Sequence, residues 1–286
     1  MKTFDRRRFL TLAGAAAAAA GQSSVPNHSP GASHIPIGLE LYSVRRALSA
    51  DLMGTVRGVG KMGYECVEFF SPYYAWTPDY AKEVRKLLDE LQVRCYSTHN
   101  DGRSFSKDGL TQAIELNQIL GTKYIVMADP GKVQGLDGWK AVAETLNRAN
   151  EKLKPLGMHT GYHNHIAEFA PLEGKLPMQV LADNTSEDIM LQLDVGHCLG
   201  SRADPLAWIK AHPGRIRSLH LKDWSPDPAL GYKVLLGEGV APWKQILAAA
   251  EEIGGVEYYL IEQEGSRFSE METAERCLAS FRKIAS

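Results

Sequence analysis

The amino-acid sequence predicts a single (β/α)8 TIM barrel of the α/β class. Three observations predict this fold. Short apolar runs alternate with longer amphipathic stretches, which is the pattern of parallel strands joined by right-handed helical crossovers. Eight such pairs follow one another along the chain. About 250 residues remain after an N-terminal leader and a linker, and that is the usual size of one such barrel.

The first half of the chain supplies four strand-and-helix pairs. The strand-like runs are rich in apolar and aromatic residues, and the stretches between them carry their charges on one face. The predicted strands are residues 37–42, 64–70, 93–98 and 123–127. The predicted helices are residues 51–62, 79–91, 108–120 and 138–154.

The second half continues the same alternation. The predicted strands are residues 158–163, 189–194, 216–221 and 257–261. The predicted helices are residues 177–182, 205–211, 243–253 and 270–284. An open doubly wound sheet is the alternative, but no GxGxxG loop follows the first strand. Eight units and the chain length favour closure into one domain, residues 36–286.

The N-terminus predicts an export signal in residues 1–24. A basic head precedes an alanine-rich apolar run, and Arg6, Arg7, Phe9 and Leu10 resemble the RRxFL core of a twin-arginine signal. The apolar run is shorter than the roughly 20 residues that cross a bilayer. We therefore expect a periplasmic or secreted protein with no stable membrane span after signal cleavage. Residues 25–35, rich in Ser, Pro, Gly and His, are the predicted linker.

Charge and cysteine content exclude some classes of function. The chain carries a net charge of −2, and removing the basic leader makes the remainder more acidic. No dense Lys/Arg stripe is present, so nucleic-acid binding is not expected. The four cysteines are too few and too scattered for a disulfide framework, and no CxxC pair suggests a zinc ribbon. Free thiols are expected.

Four polar residues at or just after the ends of late strands carry the functional prediction. They are His163, Asp194, His220 and Glu262. In a parallel barrel the carboxyl ends of the strands meet at one rim, where active sites of this fold lie. Two imidazoles and two carboxylates gathered there make one divalent-metal site.

Neighbouring residues add to this pattern but leave alternatives open. His163 and His165 alternate, so they point to opposite sides if the fifth strand continues that far. Asp194 could instead cap the following helix, with Gly196 turning the chain so that His197 lies over the rim. His220 and Lys222 share one face of the seventh strand, and each residue alone has an ordinary structural explanation.

The motifs together resemble a known family. An IGLELYS opening followed in order by YHNHIAEF, LDVGH, HLKD, GEG and IEQE resembles the sugar phosphate isomerase/epimerase-like family with the xylose-isomerase-type TIM barrel. The resemblance covers the chain from residue 35 onward. It implies a carbohydrate substrate and places the metal ligands on His163, Asp194, His220 and Glu262.

The resemblance also implies roles for other residues on the rim. Catalytic roles fall on Glu262 and Glu168, together with His197, which matches a substrate-binding histidine after the ligand aspartate. Substrate contacts fall on three further residues: His99, Lys222 and Glu68. Independently of the resemblance, Trp224 is an aromatic residue near a strand end, where we expect its ring to stack on a sugar face. Barrels of this type form dimers or tetramers, so a homo-oligomer is compatible with the prediction, although the sequence identifies no interface.

One position departs from the family pattern. Family epimerases have a glutamate where this chain has His163, and use it both as ligand and as one of two opposed bases. A metal-bound imidazole lacks the lone pair that a base needs, so Glu168 would have to substitute, or the reaction would need one base. Mixed oxygen and nitrogen ligation favours Mn, Fe, Co, Ni or Zn over Mg or Ca.

The predicted activity is that of a divalent-metal-dependent sugar isomerase or epimerase. It would act through an enediolate on a non-phosphorylated keto-sugar or sugar derivative. The alternative is a 3-keto-glycoside lyase or hydrolase, in which β-elimination expels the aglycone, because elimination needs only one base. Export argues against phosphorylated sugars, which are mainly cytosolic.

Three further classes are weaker alternatives. A non-catalytic sugar-binding protein would use the strand-end aromatics and need no base. A metal-dependent abasic-site endonuclease would need a more His-rich cluster and a basic surface, and neither is present. A non-haem iron oxygenase would use two His and one carboxylate, whereas this chain supplies a second carboxylate.

Overall fold

The computed structural model describes residues 34–286. The predicted signal in residues 1–24 and most of the predicted linker lie outside the described residues. Eight strands are present at the positions that the alternation of apolar runs predicts. In chain order, β1 to β8, they are Ile37–Glu40, Cys66–Phe69, Arg94–Asp101, Tyr124–Asp129, His159–His163, Met190–Asp194, Ser218–Leu221 and Tyr258–Ile261.

The eight strands close into one parallel barrel in sequential order. Each strand pairs in parallel with the next along the chain. Pairing of β1 with β8, for example Leu39 with Ile261, closes the ring. The predicted (β/α)8 barrel is therefore confirmed. All carboxyl ends of the strands lie on one rim, as this topology requires.

Ten α-helices surround the barrel in the described part of the chain. In chain order, α1 to α10, they are Arg45–Ala50, Leu52–Met62, Pro78–Leu91, Gly109–Leu120, Gly135–Leu153, Pro177–Asn184, Val195–Gly200, Pro205–Ala211, Trp243–Ala249 and Glu270–Ile284. None of the helices in residues 34–286 is both long and apolar enough to cross a membrane. The four cysteines are free and buried, as expected.

The first four strands end at residues other than those predicted, and β2 and β4 end at Phe69 and Asp129, one residue before and two residues after the predicted ends. β1 stops at Glu40 because its carboxylate accepts the backbone N–H of Tyr42 at 2.6 Å, which begins a 3-10 turn over Leu41–Val44. β3 runs on to Asp101, three residues beyond the predicted end. That extension brings His99 and Asn100 into the strand.

The barrel interior is divided along its axis. The amino-terminal half is filled by apolar and aromatic side chains, namely Cys66, Tyr124, Val126, Met190, Tyr258 and Leu260. The carboxyl-terminal half is polar, with Glu40, Glu68, His163, Asp194 and His220 almost fully buried. Buried charges are costly unless they are paired or bind a metal, so this end of the barrel is where function is expected.

Candidate metal centre and active-site cavity

The structure brings the four predicted ligands together. His163, Asp194, His220 and Glu262 each offer a ligand atom, and these atoms all lie within 4.8 Å of one another. Their side chains come from the ends of β5, β6 and β7 and from the residue after β8. All four residues are buried. Convergence of the strand ends therefore produces the cluster that the spacing in the sequence predicts.

Asp194 combines the two roles that the sequence left open. Its Oδ1 accepts the backbone N–H of His197 at 2.7 Å and caps α7. Its Oδ2 is buried and has no hydrogen-bond partner among the described residues, although the Lys222 ammonium lies 3.1 Å away. One oxygen thus starts the helix, and the other faces the cluster.

His163 provides a second orphaned atom. Its Nδ1 is buried and has no hydrogen-bond partner within residues 34–286. Burial, together with the nearby imidazoles of His99 and His220, lowers the pKa of His163 well below its usual range. The ring is therefore neutral and keeps a lone pair, which a metal ligand requires.

His220 lies between two carboxylates. Its Nδ1 donates to Glu262 Oε2 at 2.7 Å, and its Nε2 donates to Glu68 Oε2 at 2.8 Å. Burial disfavours the charged ring, but the attraction of Glu68 and the bonds to both carboxylates outweigh burial and raise the pKa of His220 to about 10. Without a metal the ring is an imidazolium that donates from both nitrogens.

Lys222 extends the charged network to His197. The buried ammonium lies 3.2 Å from Glu262 Oε1 and donates to Glu264 Oε1 at 2.7 Å and to His197 Nε2 at 3.0 Å. Burial opposes its charge, but Asp194 and Glu262 outweigh that effect and raise the pKa of Lys222. Gly196 permits this packing, because a Cβ there would lie 2.8 Å from the Lys222 carbonyl oxygen.

The chemistry of the cluster fits a divalent cation. Five carboxylates lie in or next to it: Glu40, Glu68, Asp194, Glu262 and Glu264. The cationic groups that the described residues place there are the Lys222 ammonium and the His220 imidazolium. Negative charge is in excess, and buried donor atoms on Asp194 and His163 lack partners. A bound cation would satisfy both conditions.

A cavity of about 310 Å³ opens above the cluster. His163 and Glu262 connect the cluster to it. Its lining is polar on most sides and carries two aromatic rings. The polar lining residues are Glu40, Ser71, His99, Asn100, Asp101, Asp129, His163, His165, Glu262 and Glu264, and the aromatic ones are Tyr42 and Phe70. A cavity of this size and polarity suits a small polyhydroxylated molecule.

Glu168, expected as a catalytic carboxylate, does not line this cavity. Its Oε1 accepts from Tyr162 Oη at 2.7 Å, and its Oε2 accepts the backbone N–H of His165 at 2.9 Å. Both oxygens are thus engaged in holding the turn after β5. The side chain therefore holds that turn and lies outside the cavity lining.

Glu68 and Trp224, expected to contact substrate, also lie off the cavity lining. Glu68 is fully buried beneath the cluster, where it accepts from Ser97, Gln192 and His220. Burial opposes its charge, but His99 and His220 outweigh that effect and lower the pKa of Glu68.

Among the other predicted contacts, His99 does line the cavity. Its Nε2 lies 2.8 Å from Gln192 Oε1 and 3.0 Å from Glu68 Oε2. Because both neighbours are acceptors, Nε2 carries the proton and Nδ1 keeps the lone pair. Lys222 and His197 lie deeper, beside the metal cluster.

The expected separation of His163 and His165 does not occur. β5 ends at His163, so the strand alternation stops there, and both residues line the cavity. Their rings meet edge to face with centroids 5.0 Å apart. The two rings were expected on opposite faces only if β5 continued past His163. The chain instead turns after His163, and Glu168 holds that turn.

Four carboxylates that the sequence did not select line the cavity, and two of them, Glu40 and Glu264, lie next to the cluster. Glu40 is fully buried with Oε1 unpartnered within the described residues, and burial, followed by Glu262 and Glu68, raises its pKa. Glu264 lies beside His197 and Lys222, which outweigh burial and lower its pKa to about 2. Alternation along IGLE places Glu40 on the inward face of β1 and was the available signal for it. Glu264 lies three residues beyond the end of β8, where alternation predicts no direction.

A family model supports the same fold. The model described as xylose isomerase-like TIM barrel matches residues 56–284. A solved sugar phosphate isomerase/epimerase from Parabacteroides distasonis superposes with a TM-score of 0.73 and 25% identity, over 87% of this chain and 94% of that chain. A solved IOLI protein with a bound zinc atom gives a TM-score of 0.68 at 16% identity, over 88% and 98% of the two chains.

A similarity to curated enzymes covers a shorter stretch. The inosose dehydratase of Lacticaseibacillus casei is 25% identical over 175 residues, which are 51% of this chain and 58% of that protein. The chain thus spans little more than half the length of this relative.

Proposed function

This chain belongs to the xylose isomerase-like TIM barrel family, and from that premise we propose that it is a divalent-metal-dependent carbon–oxygen lyase. Its substrate would be a six-membered ring that carries a ketone and several hydroxyl groups. The observation that carries the proposal is the cluster of His163, Asp194, His220 and Glu262, which is buried and opens into a polar cavity.

The metal would be held by the four residues of this cluster. A divalent ion bound there acidifies the C–H bond beside a ketone by polarising the carbonyl group. The mixed oxygen and nitrogen donors favour Zn, Mn, Fe, Co or Ni. The zinc-bound IOLI structure has the same fold, which is compatible with this choice.

His165 is proposed as the proton acceptor. It lines the cavity next to His163, and no described residue hydrogen-bonds to its ring. Glu262, the base expected from the sequence, has Oε2 bonded to His220 and Oε1 near Lys222, so it is assigned to the metal. The Glu264 carboxylate is engaged by Lys222 and is a weak proton acceptor at its lowered pKa.

The reaction then balances as an elimination. His165 removes the proton from the carbon beside the ketone, and that electron pair forms a double bond to the next carbon. The bond from that carbon to its oxygen substituent breaks, and the departing oxygen takes the proton back from His165. Lys222 and His197 lie beneath the cavity and would hold the carboxylates of Glu262 and Glu264 in position. The product is an unsaturated ketone plus water or an alcohol.

Two features favour elimination over epimerisation, the outcome that the family resemblance first suggested. The strand-5 ligand is His163, not the glutamate of family epimerases, and Glu168 is held away from the cavity. A two-base reaction therefore lacks its second carboxylate at this position. The similarity to an inosose dehydratase, whose name denotes loss of water from a keto-inositol, supports the same class.

An NMR experiment in D₂O tests the proposal. The metal-loaded protein is incubated separately with a keto-inositol and with methyl 3-keto-β-D-glucoside. We expect loss of water or release of methanol, with deuterium at the carbon beside the ketone in substrate that is reprotonated before elimination. Activity should disappear in His220→Ala and persist in the surface control Asp137→Asn, which changes an exposed carboxylate of α5. Absence of both metal-dependent exchange and metal-dependent elimination with both substrates would refute the enolisation chemistry.

A sugar isomerase or epimerase is the second candidate. The similarity to the Parabacteroides distasonis sugar phosphate isomerase/epimerase favours it. The same NMR spectra distinguish this candidate from the lyase, because an isomerase or epimerase would exchange deuterium and rearrange the sugar without releasing water or methanol. Export through the twin-arginine pathway stays a proposal that rests on residues 1–24, and cleavage of that segment in cells is its test.

A further inference from the structure

A second cavity of about 410 Å³ lies beside the polar one. It is formed between α1 and the loop that follows β2. Carbon atoms of Leu48, Phe69, Tyr73, Trp76 and Tyr80 make up much of its lining. The chemistry proposed above makes no use of this space.

The aromatic rings around this cavity are already packed against one another. Trp76 meets Phe69 and Tyr80 edge to face, with centroids 5.0 and 5.5 Å apart. Tyr73 also meets Trp76 edge to face, at 6.0 Å. Since these contacts exist without a ligand, little side-chain ordering would be needed on binding.

Two polar groups at the border of the cavity, on Tyr73 and Arg45, are bonded to atoms outside it. Tyr73 Oη bonds to Asn100 Oδ1, away from the cavity. The Arg45 guanidinium donates to the carbonyl oxygens of Tyr42 and Glu264, both at 2.9 Å. A ligand in this cavity would therefore meet mainly apolar and aromatic surface.

The two cavities adjoin at one side chain. Phe70 lines both, and Tyr42 packs against it with centroids 5.4 Å apart. Phe70 follows β2, whereas the metal cluster uses the ends of β5 to β8. A ring held by its ketone at the metal cluster would thus have its far side toward Phe70.

We infer that the second cavity is a subsite for an aromatic aglycone. The inference rests on the proposed lyase function and selects among its substrates: a 3-keto-glycoside with an aromatic aglycone, not a free keto-inositol. The ketone-bearing ring would occupy the polar cavity. The aglycone would lie past Phe70 against Trp76, and would leave as an alcohol when the C1–O bond breaks and its oxygen takes up the C2 proton.

A binding experiment tests this without turnover. Affinities of the full-length metal-loaded protein for benzyl β-D-glucoside and methyl β-D-glucoside, which lack the ketone, are compared by saturation-transfer NMR titration. We expect the benzyl compound to bind at least about tenfold more tightly, the effect of removing one aromatic ring from water. Equal affinities would overturn the inference.

Two variants change the cavity in opposite ways. Trp76→Ala removes the central ring, and Ala50→Phe fills the space from the exposed end of α1. Each should abolish the benzyl preference and leave the affinity for the methyl glucoside unchanged. Leu156→Ala, at an exposed site between α5 and β5, is the control and should retain the preference. A preference that survives Ala50→Phe would also overturn the inference.

Turnover separates this inference from the proposed function. Benzyl and methyl alcohols are similar leaving groups, so a lower KM for benzyl 3-keto-β-D-glucoside would report binding of the aglycone. Turnover of both compounds with equal KM would refute the subsite and leave the lyase intact. Selective, Trp76-dependent binding of the benzyl glucoside with no turnover of either keto-glucoside would refute the lyase and retain the subsite.

Discussion

Glu68 Oε2 accepts a hydrogen bond from His220 Nε2 at 2.8 Å, and both side chains are fully buried. This contact fixes the ring so that Nδ1 faces the cluster of candidate ligands. A carboxylate behind a ligating histidine sets the ring orientation and increases its basicity. Glu68 therefore positions His220 in the candidate metal cluster and lies beneath the cavity in which the sequence expected it to contact substrate.

Replacing Glu68 should weaken metal binding. Glu68→Gln removes the charge behind His220 and keeps the volume, and we expect a loss of about 10- to 100-fold in metal affinity. A competition titration against a zinc chelator measures it. Asp137→Asn is the matched control, because it also neutralises a carboxylate but on the exposed face of α5. Unchanged affinity in Glu68→Gln would show that His220 is oriented by other contacts.

Metal affinity should rise with pH. The pKa of His220 is raised to about 10 in the metal-free protein, and its Nδ1 proton must leave before the nitrogen can bind a metal. Below that pKa, each pH unit should therefore increase the apparent affinity about tenfold. Titrations at pH 7, 8 and 9 with a non-coordinating buffer would show this slope. The slope should vanish in His220→Gln.

The same shift predicts how stability depends on pH without metal. The pKa of His220 is higher in the folded chain than in the unfolded chain, where it is about 6.5. Below about pH 6.5, His220 therefore makes its full contribution to the free energy of unfolding. The contribution of His220 is lost as pH rises toward about 10. The free energy of unfolding of the metal-free protein, measured in urea, should thus decrease over this window. Saturating metal should remove the decrease, because the bound ring carries no extra proton.

The roles assigned to His165 and Glu168 make different predictions for catalysis. His165→Asn removes the proposed base and should lower kcat by roughly 10²- to 10⁴-fold. Glu168→Gln leaves a side chain that still bonds to Tyr162 but loosens the turn, so we expect a smaller loss of kcat and an unchanged pH profile. If Glu168→Gln abolished the acidic limb of the pH profile of kcat, Glu168 would be the base and His165 would not.

The amino-terminal half of the barrel should not tolerate a larger residue at position 38. A Cβ on Gly38 would lie 2.4 Å from Cys66 Sγ and 2.7 Å from the Cys66 carbonyl oxygen. Gly38→Ala should therefore lower the free energy of unfolding by about 1–3 kcal/mol. Gly265→Ala is the control, since a Cβ there would meet no atom within 4 Å. Urea denaturation of both variants measures the difference.

The sequence by itself determined the barrel and the metal cluster. Apolar runs at regular spacing predict eight parallel strands, and each late run ends in a residue with ligand chemistry, namely His163, Asp194, His220 or Glu262. Closure of the barrel forces those ends onto one rim. The cluster therefore follows from strand order alone, without knowledge of any individual contact.

The tertiary structure decided which neighbouring groups reach the substrate cavity. His165 and Glu168 both follow β5, but the bonds from Tyr162 Oη and the His165 backbone N–H turn Glu168 away and leave His165 in the cavity. The sequence could not predict this outcome, because side-chain alternation holds only while a strand continues. Beyond the last residue of a strand, the direction of each side chain depends on contacts that only the folded barrel creates.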